Sequence, residues 1–341
     1  MKLLFIGFGN VAKEMARIFT NRHLYPGLDY SPSIVGVFTG RHGGIENKDG
    51  INITGVLKNL SQNGTLTADS KGLSLLTPLE AVQKLDYDVL VELSTLSIEG
   101  KGEPAISHIK AALMRGRSVV SANKGPVAFA YRELKDLAEK NKALYLFESA
   151  VMDGAPVFNL ADRCMKGATI TGFSGILNGT TNYILSFMEQ GGSLEEGIIR
   201  AQQAGIAEAD PSMDVDGWDP AAKTAALANV LMGADINPLD VKREGIRSVT
   251  QCELQDAVRR GKRLKLMCRG RKCGNDICTS VKVEEIDKND VFALISHFGS
   301  AVRIESDLMH PNVIVQDCPE LIDTAFGVIE DILTVKEKIE H

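Results

Sequence analysis

At 341 residues the chain has material for two domains, and its 44% hydrophobic content is ample for their cores. A net charge of −6, with no basic block, disfavours nucleic acid as a partner, and no apolar run approaches the ~20 residues a membrane span needs. Cys164, Cys252, Cys268, Cys273, Cys278 and Cys318 form neither a CxxC pair nor a zinc spacing, so reduced thiols in a cytoplasmic protein are expected.

Residues 2–7 (KLLFIG) read as a buried parallel strand, too short and too soon followed by glycine for a signal peptide. The strand enters a GxGxxA turn, Gly7-Phe8-Gly9-Asn10-Val11-Ala12, and an amphipathic helix follows from 11 to about 19. Gly7 permits the tight turn, Gly9 lets the backbone approach a pyrophosphate, and Ala12 lets the helix pack closely on the strand. The pyrophosphate would rest on the helix N-terminus, where unpaired N–H groups and the dipole favour an anion. Such a motif alone is weak; the preceding strand and following helix make it a dinucleotide-binding signal.

The next strand, 33–39, ends in Gly40-Arg41-His42, where an NAD-binding fold usually carries Asp or Glu for the ribose hydroxyls. A guanidinium there suits a 2′-phosphate, so NADP is favoured over NAD; the plainer reading is an exposed loop charge. Residues 43–76, rich in Gly, Asn and Ser, read as a crossover containing a helix. A buried strand at 87–93 ends at Ser94 and Thr95, the edge where open α/β sheets bind ligands. A helix at 104–115 leads to a strand at 118–121, which runs into Ala122-Asn123-Lys124-Gly125-Pro126. Fixed by the Gly-Pro turn, Lys124 faces the same crevice as the dinucleotide; a surface lysine is the alternative. Residues 143–147 complete a sixth strand and hence a Rossmann-type doubly wound parallel sheet.

Beyond the crossing at 148–156, a strand at 169–176 runs into Gly175–Leu185 (GILNGTTNYIL), a small-residue turn opening a helix. A further helix at 193–204 precedes residues 205–223, GIAEADPSMDVDGWDPAAK. Glu208, Asp210, Asp214, Asp216 and Asp219 fall within twelve positions there, followed by Lys223. Pro211, Gly217 and Pro220 forbid one continuous helix, so a folded acidic loop is expected, with a helix starting at Asp219 as N-cap and Pro220 as first residue. Asp219 and Lys223 would then lie one turn apart. A solvated or calcium-binding loop is the competing reading, although EF-hand offsets are absent. The charged stretch 243–272 reads as solvated outer surface, followed by strands at 281–286 and 312–316 and a helix at 322–339.

No histidine falls in any of these motifs, and Cys164 lies outside them. Lysine is left as proton donor, with Lys223 and Lys124 as candidates. A substrate ammonium would explain Glu208 and Asp219, while Thr180 and the Gly179 backbone could hold its other polar end.

GILNGTTNYIL and GIAEADPSMDVDGWDPAAK closely resemble homoserine dehydrogenases, and the likeness runs from Leu3 to about Ala234. It implies reversible NAD(P)-dependent hydride transfer between L-homoserine and L-aspartate 4-semialdehyde, in threonine, methionine and isoleucine biosynthesis, by a homodimer. It places Glu208, Asp214, Asp219, Gly179 and Thr180 at the substrate and Lys124 at the nicotinamide and substrate. Gly7, Phe8, Gly9, Asn10, Val11, Arg41, Ser94, Thr95, Asn123, Lys124 and Gly205 would hold the cofactor. Glu148, with Val151, Asp153 and Ala155 around it, is implied as a site for a monovalent cation such as Na⁺. Asp153 departs from the glycine of many members; its carboxylate would either strengthen the site or fill it with another hydrogen bond. The last helix is implied to return to the nucleotide domain, dividing the chain into 1–150 (dinucleotide), 151–316 (α+β, substrate and dimerisation) and 317–341. Asp317-Cys318-Pro319-Glu320-Leu321 replaces the glycine-rich turn usual before that helix, and no regulatory domain is expected after residue 341. The remaining alternatives are another amino-acid dehydrogenase of this architecture and an NADP-sensing protein, which would lack the lysines.

Overall fold

A computed structural model describes residues 1–66, 73–205 and 207–340. Residues 67–72 of the expected crossover and Ile206 of the acidic stretch lie outside the described residues. The chain forms two compact units, Met1–Pro156 with Glu320–His341, and Val157–Pro319. No described helix is long and apolar enough to cross a membrane.

In the first unit β1 (Lys2–Ile6) is followed by α1 (Asn10–Thr20), β2 (Ser33–Thr39), β3 (Gly43–Glu46), α2 (Ile53–Asn63) and α3 (Pro78–Lys84). Then come β4 (Val89–Glu92), α4 (Ala105–Met114), β5 (Ser118–Ser121), α5 (Lys124–Lys140) and β6 (Tyr145–Leu146). The strand order is β3-β2-β1-β4-β5-β6, all parallel except β3. Leu3 to Ile6 and Val89 to Glu92 are buried throughout, the continuous pattern of strands covered on both faces. The order reverses at β1, with β2 on one side and β4 on the other, which opens a crevice at the strands' C-terminal ends.

The expected crossover at 43–76 misses β3. His42 N donates to Thr39 Oγ1 (2.8 Å), closing a turn too short for a parallel connection. A Cβ on Gly44 would fall within 2.1 Å of the Phe38 ring, so the glycine that suggested a loop is what lets β3 pair with β2.

The second unit opens with the short α6 (Val157–Asn159), then β7 (Ile170–Ile176), α7 (Gly179–Glu189), α8 (Leu194–Gln203), α9 (Ser212–Val215) and α10 (Trp218–Met232). It continues with β8 (Lys242–Arg243), α11 (Gln251–Arg259), β9 (Lys262–Cys273), β10 (Asp276–Asp287), α12 (Val291–Leu294), β11 (Ser300–Ser306) and β12 (Asn312–Gln316). Its sheet has the order β12-β11-β7-β9-β10-β8, with β7 antiparallel to both neighbours. Ala221, Ala222, Ala225, Ala226 and Ala228 are fully buried, and this small-residue face lets α10 lie close on β9 and β10.

The reading of 243–272 as solvated surface is corrected by β9. Leu266, Met267 and Cys268 are core residues, and Lys265 just before them is 3% exposed. Arg243 is also engaged, with its guanidinium 3.6 Å from the Trp218 ring centroid and bonded to the Asp216 carbonyl. Four successive residues, Lys265 to Cys268, are buried, so both faces of β9 are covered along this stretch, which composition alone does not reveal.

The last helix, α13 (Leu321–Glu340), belongs to the first unit. Its Ala325, Val328, Ile329, Ile332 and Val335 enter the same core as Leu3, Phe5, Ala12 and Met15. Glu148 N donates to Asp331 Oδ2 (2.9 Å) and Ser149 Oγ to the Thr324 carbonyl (2.9 Å), so the helix also fastens the end of the parallel sheet.

Candidate active site

In the first unit the turn after β1 is a tight fit. Gly7 has φ +90°, and a Cβ there would stand 2.5 Å from the Leu93 carbonyl atoms and 2.7 Å from Ser94 N. Only glycine allows β1 and the end of β4 to meet this closely. Gly9 differs: it caps α1 without a side-chain hydrogen bond, and nothing lies within 4 Å of its Cβ position. Tight packing at Gly7 and open space at Gly9, before the bare N-terminus of an 11-residue helix, form a cradle that fits a dinucleotide pyrophosphate.

Around that crevice Ser94 and Asn123 are joined by one network. Ser94 Oγ donates to Glu92, a fully buried carboxylate, and Ser121 Oγ donates to the Glu92 carbonyl (2.9 Å). Asn123 Nδ2 reaches Ser94 Oγ (3.4 Å), Asn123 N donates to Ser121 Oγ (3.1 Å), and Asn123 Oδ1 accepts from Gly125 N (2.9 Å). Asn123 is thereby the N-cap of α5, with Lys124 at its first position. Thr95 is exposed beside them. Glu92, which anchors β4 to β5, went unnoticed in the sequence because it reads as part of an apolar strand. Arg41 lies exposed in the β2–β3 turn, and among the described residues none pairs with its guanidinium.

In the second unit β7 ends at Ile176, and Asn178 caps α7 by accepting from Thr181 N (2.8 Å). The Asn178 amide also donates to Asp214 Oδ1 (2.7 Å) and Asp219 Oδ2 (3.0 Å). Asp219 Oδ2 is 3.2 Å from Lys223 Nζ, which donates to the Leu177 carbonyl (2.8 Å). The structure therefore brings together Lys223, Asp219, Asp214, Gly179 and Thr180, with Asn178 at the hub. Sequence reasoning missed Asn178; its one signal was an N-capping residue at a strand-to-helix junction.

The other acidic residues have separate duties. Asp210 accepts from Ser212 N (3.0 Å), which holds its carboxyl below the usual range, and Asp216 pairs with Arg247. Glu208 is exposed, on a segment whose Glu208 and Ala209 carbonyls accept from the Gln202 amide (3.1 Å each). Gly205, φ +73°, is an exposed turn after α8 in the same unit. Burial pushes the Cys268 thiol, beside the Pro220 carbonyl, up to about 12, so it is no thiolate nucleophile.

The helix start expected at Asp219 is corrected. Gly217, φ +78°, is the N-cap of α10, its carbonyl accepting from Ala221 N (3.0 Å), so Asp219 and Pro220 are the second and third helical residues. Pro220 is tolerated there because the first-turn N–H groups have no intrahelical partner.

Near Pro156, Glu148 and Val151 are buried and Ala155 N donates to the Met152 carbonyl (2.8 Å). Asp153, φ +47°, accepts from Thr324 Oγ1 (2.8 Å). Among the described residues no group of three or more His, Cys, Asp or Glu side chains forms a metal site.

A family model described as homoserine dehydrogenase matches residues 156–333. The chain is 34% identical to a protein of Pseudomonas canavaninivorans named NAD(+)-dependent homoserine dehydrogenase, over 100% of this chain and 98% of that protein. It is 31% identical to a homoserine dehydrogenase of Methanocaldococcus jannaschii, over 98% of each. A homoserine dehydrogenase structure from Thermoplasma acidophilum superposes with a TM-score of 0.82 at 25% identity, over 99% of each chain. A hyperthermophilic archaeal homoserine dehydrogenase in complex with NADPH does so with a TM-score of 0.83 at 27% identity, over 99% of this chain and 98% of that one.

Proposed function

Since the chain belongs to the homoserine dehydrogenase family, we propose that Lys223 is the proton donor and acceptor of its reaction, the reversible nicotinamide-dependent interconversion of L-homoserine and L-aspartate 4-semialdehyde. The observation that carries this assignment is the Lys223 ammonium, held between Asp219 and the Leu177 carbonyl. The dinucleotide supplies or takes the hydride. Lys223 gives its proton to the aldehyde oxygen as negative charge develops there, and takes it from the hydroxyl in reverse. Asp219 keeps the ammonium aimed, and Asn178 keeps Asp219 and Asp214 from turning away. Glu208, Asp214 and Asp219 accept from the substrate ammonium, while Gly179 and Thr180, in the first turn of α7, favour its carboxylate.

Gly7, Phe8, Gly9, Asn10 and Val11 take the pyrophosphate. Ser94, Thr95, Asn123 and Lys124 hold the nicotinamide end, and Gly205 is a further cofactor residue. The oxygen donors of Glu148, Val151 and Ala155 suit a hard monovalent cation, with Asp153 already engaged by Thr324. By the same resemblance the protein is a cytoplasmic homodimer. Incubation with L-homoserine and NADP or NAD, following the reduced cofactor, tests this function. Aldehyde as product supports it; ammonia would make the protein a deaminating dehydrogenase.

Arg41 assigns NADP as the preferred form, although the Pseudomonas relative is named for NAD(+). A charged hydrogen bond contributes about 1.5–3 kcal/mol, so Arg41→Asp should shift the ratio of kcat/KM for NADP over NAD by roughly ten- to a hundredfold. An unshifted ratio would show Arg41 to be only a loop charge.

Glu208→Gln keeps shape and removes charge, and should raise KM for L-homoserine by roughly the same ten- to hundredfold factor while leaving NADP affinity unchanged. Equal damage to both ligands would assign Glu208 to loop structure.

A further inference from the structure

Lys265 sits in β9 beside the core residues Leu266 to Cys268 and is 3% exposed. Burial lowers its pKa to about 8, opposed by the Glu189 carboxylate and reinforced by Arg263. A buried ammonium contributes little net stability compared with an apolar side chain of like volume, so its presence calls for a specific use.

Its contacts supply one. Lys265 Nζ donates to Asn182 Oδ1 (2.8 Å) and to the Ile295 carbonyl (2.6 Å). Asn182, near the start of α7, in turn donates from Nδ2 to the His297 carbonyl (3.1 Å). One polar knot thus ties β9, α7 and the segment 295–299. In that segment the Phe298 ring stacks on Tyr183, with centroids 4.7 Å apart and planes at 21°. A Cβ on Gly179 would lie 2.8 Å from the Phe298 carbonyl, so residues 295–299 form the floor against which the Gly179–Thr180 turn rests.

We propose that Lys265 is a positioning residue for the substrate, which, through Asn182 and the segment 295–299, sets the backbone of the Gly179–Thr180 turn without touching the substrate itself. The proposal rests on the reading of Gly179 and Thr180 as substrate-holding residues. A displaced turn misplaces the substrate relative to Lys223 but leaves dinucleotide binding alone.

Lys265→Met keeps an unbranched chain as far as the ε-carbon and removes the ammonium. It should raise KM for L-homoserine about tenfold or more while NADPH affinity, read by fluorescence titration, stays at the wild-type value. Phe298→Ala, which removes the stacking on Tyr183, should give the same split. Thr180→Val, measured alongside, separates the two readings. An unchanged KM in Thr180→Val would remove the turn from substrate binding. A raised KM in Thr180→Val, with Lys265→Met at the wild-type KM or weakened equally for both ligands, would overturn the positioning role. If Lys265→Met does not fold, an unchanged KM in Phe298→Ala overturns it instead.

Discussion

Lys223→Ala should lower kcat by about 10²–10⁴ in both directions, the range that a positioned general acid–base supplies. Stopped assays in each direction, with NADPH titration as the control, measure this. The loss should fall on chemistry because the surroundings of Lys223 do not depend on it alone. Asp219 keeps the Asn178 amide at 3.0 Å, and Asn178 keeps its hydrogen bonds to Asp214 and Thr181. The Leu177 carbonyl loses a donor, a cost of about 1–3 kcal/mol that the folded unit can bear. Turnover near the wild-type rate would take Lys223 out of the mechanism and move its role to Lys124.

Gly7→Ala and Gly9→Ala should fail in opposite ways. At Gly7 an added Cβ meets the backbone of Leu93 and Ser94 at 2.5–2.7 Å, in a left-handed conformation that L-residues resist. Strain and overpacking together cost about 2–5 kcal/mol, so the melting temperature without ligand should fall by roughly 5–20 °C, taking cofactor binding with it. At Gly9, φ −79° suits alanine and the space is open, so ligand-free stability should hold or rise by a few tenths of a kcal/mol. NADPH affinity should nevertheless drop about tenfold or more, because the methyl occupies the pyrophosphate cradle. Calorimetry with and without NADPH distinguishes the two. Unimpaired binding in Gly9→Ala would show that the cofactor does not lie on α1.

The contrast between these glycines explains what could be read in advance. The GxGxxA turn was legible because its chemistry demands particular residues at fixed offsets, and Asp219 and Lys223 because one helical turn separates them. Asn178 was not, since its partners Asp214 and Asp219 lie 36 and 41 positions away and only the tertiary fold brings them together. Lys265 was hidden for a related reason: a lysine facing inward on a strand has the same neighbours in sequence as one facing water. β3 was masked by Gly43 and Gly44, which look like loop, although Gly44 is required by the Phe38 ring. The start of α10 was misplaced because Asp219-Pro220 mimics a cap that Gly217 supplies two residues earlier.

The bond from Glu148 N to Asp331 spans 183 positions, so the first unit is completed only when the end of the chain is present. The parallel sheet is synthesised early, yet the core that it shares with α1 and α2 stays incomplete until α13 leaves the ribosome. Closing so long a loop is entropically costly for a flexible chain. If residues 157–319 collapse first into a unit of their own, the separation that α13 must bridge shrinks from a long random coil to the distance between that unit's two ends. Folding of the second unit then eases completion of the first, and a chain stalled before α13 leaves part of the first unit's apolar core uncovered.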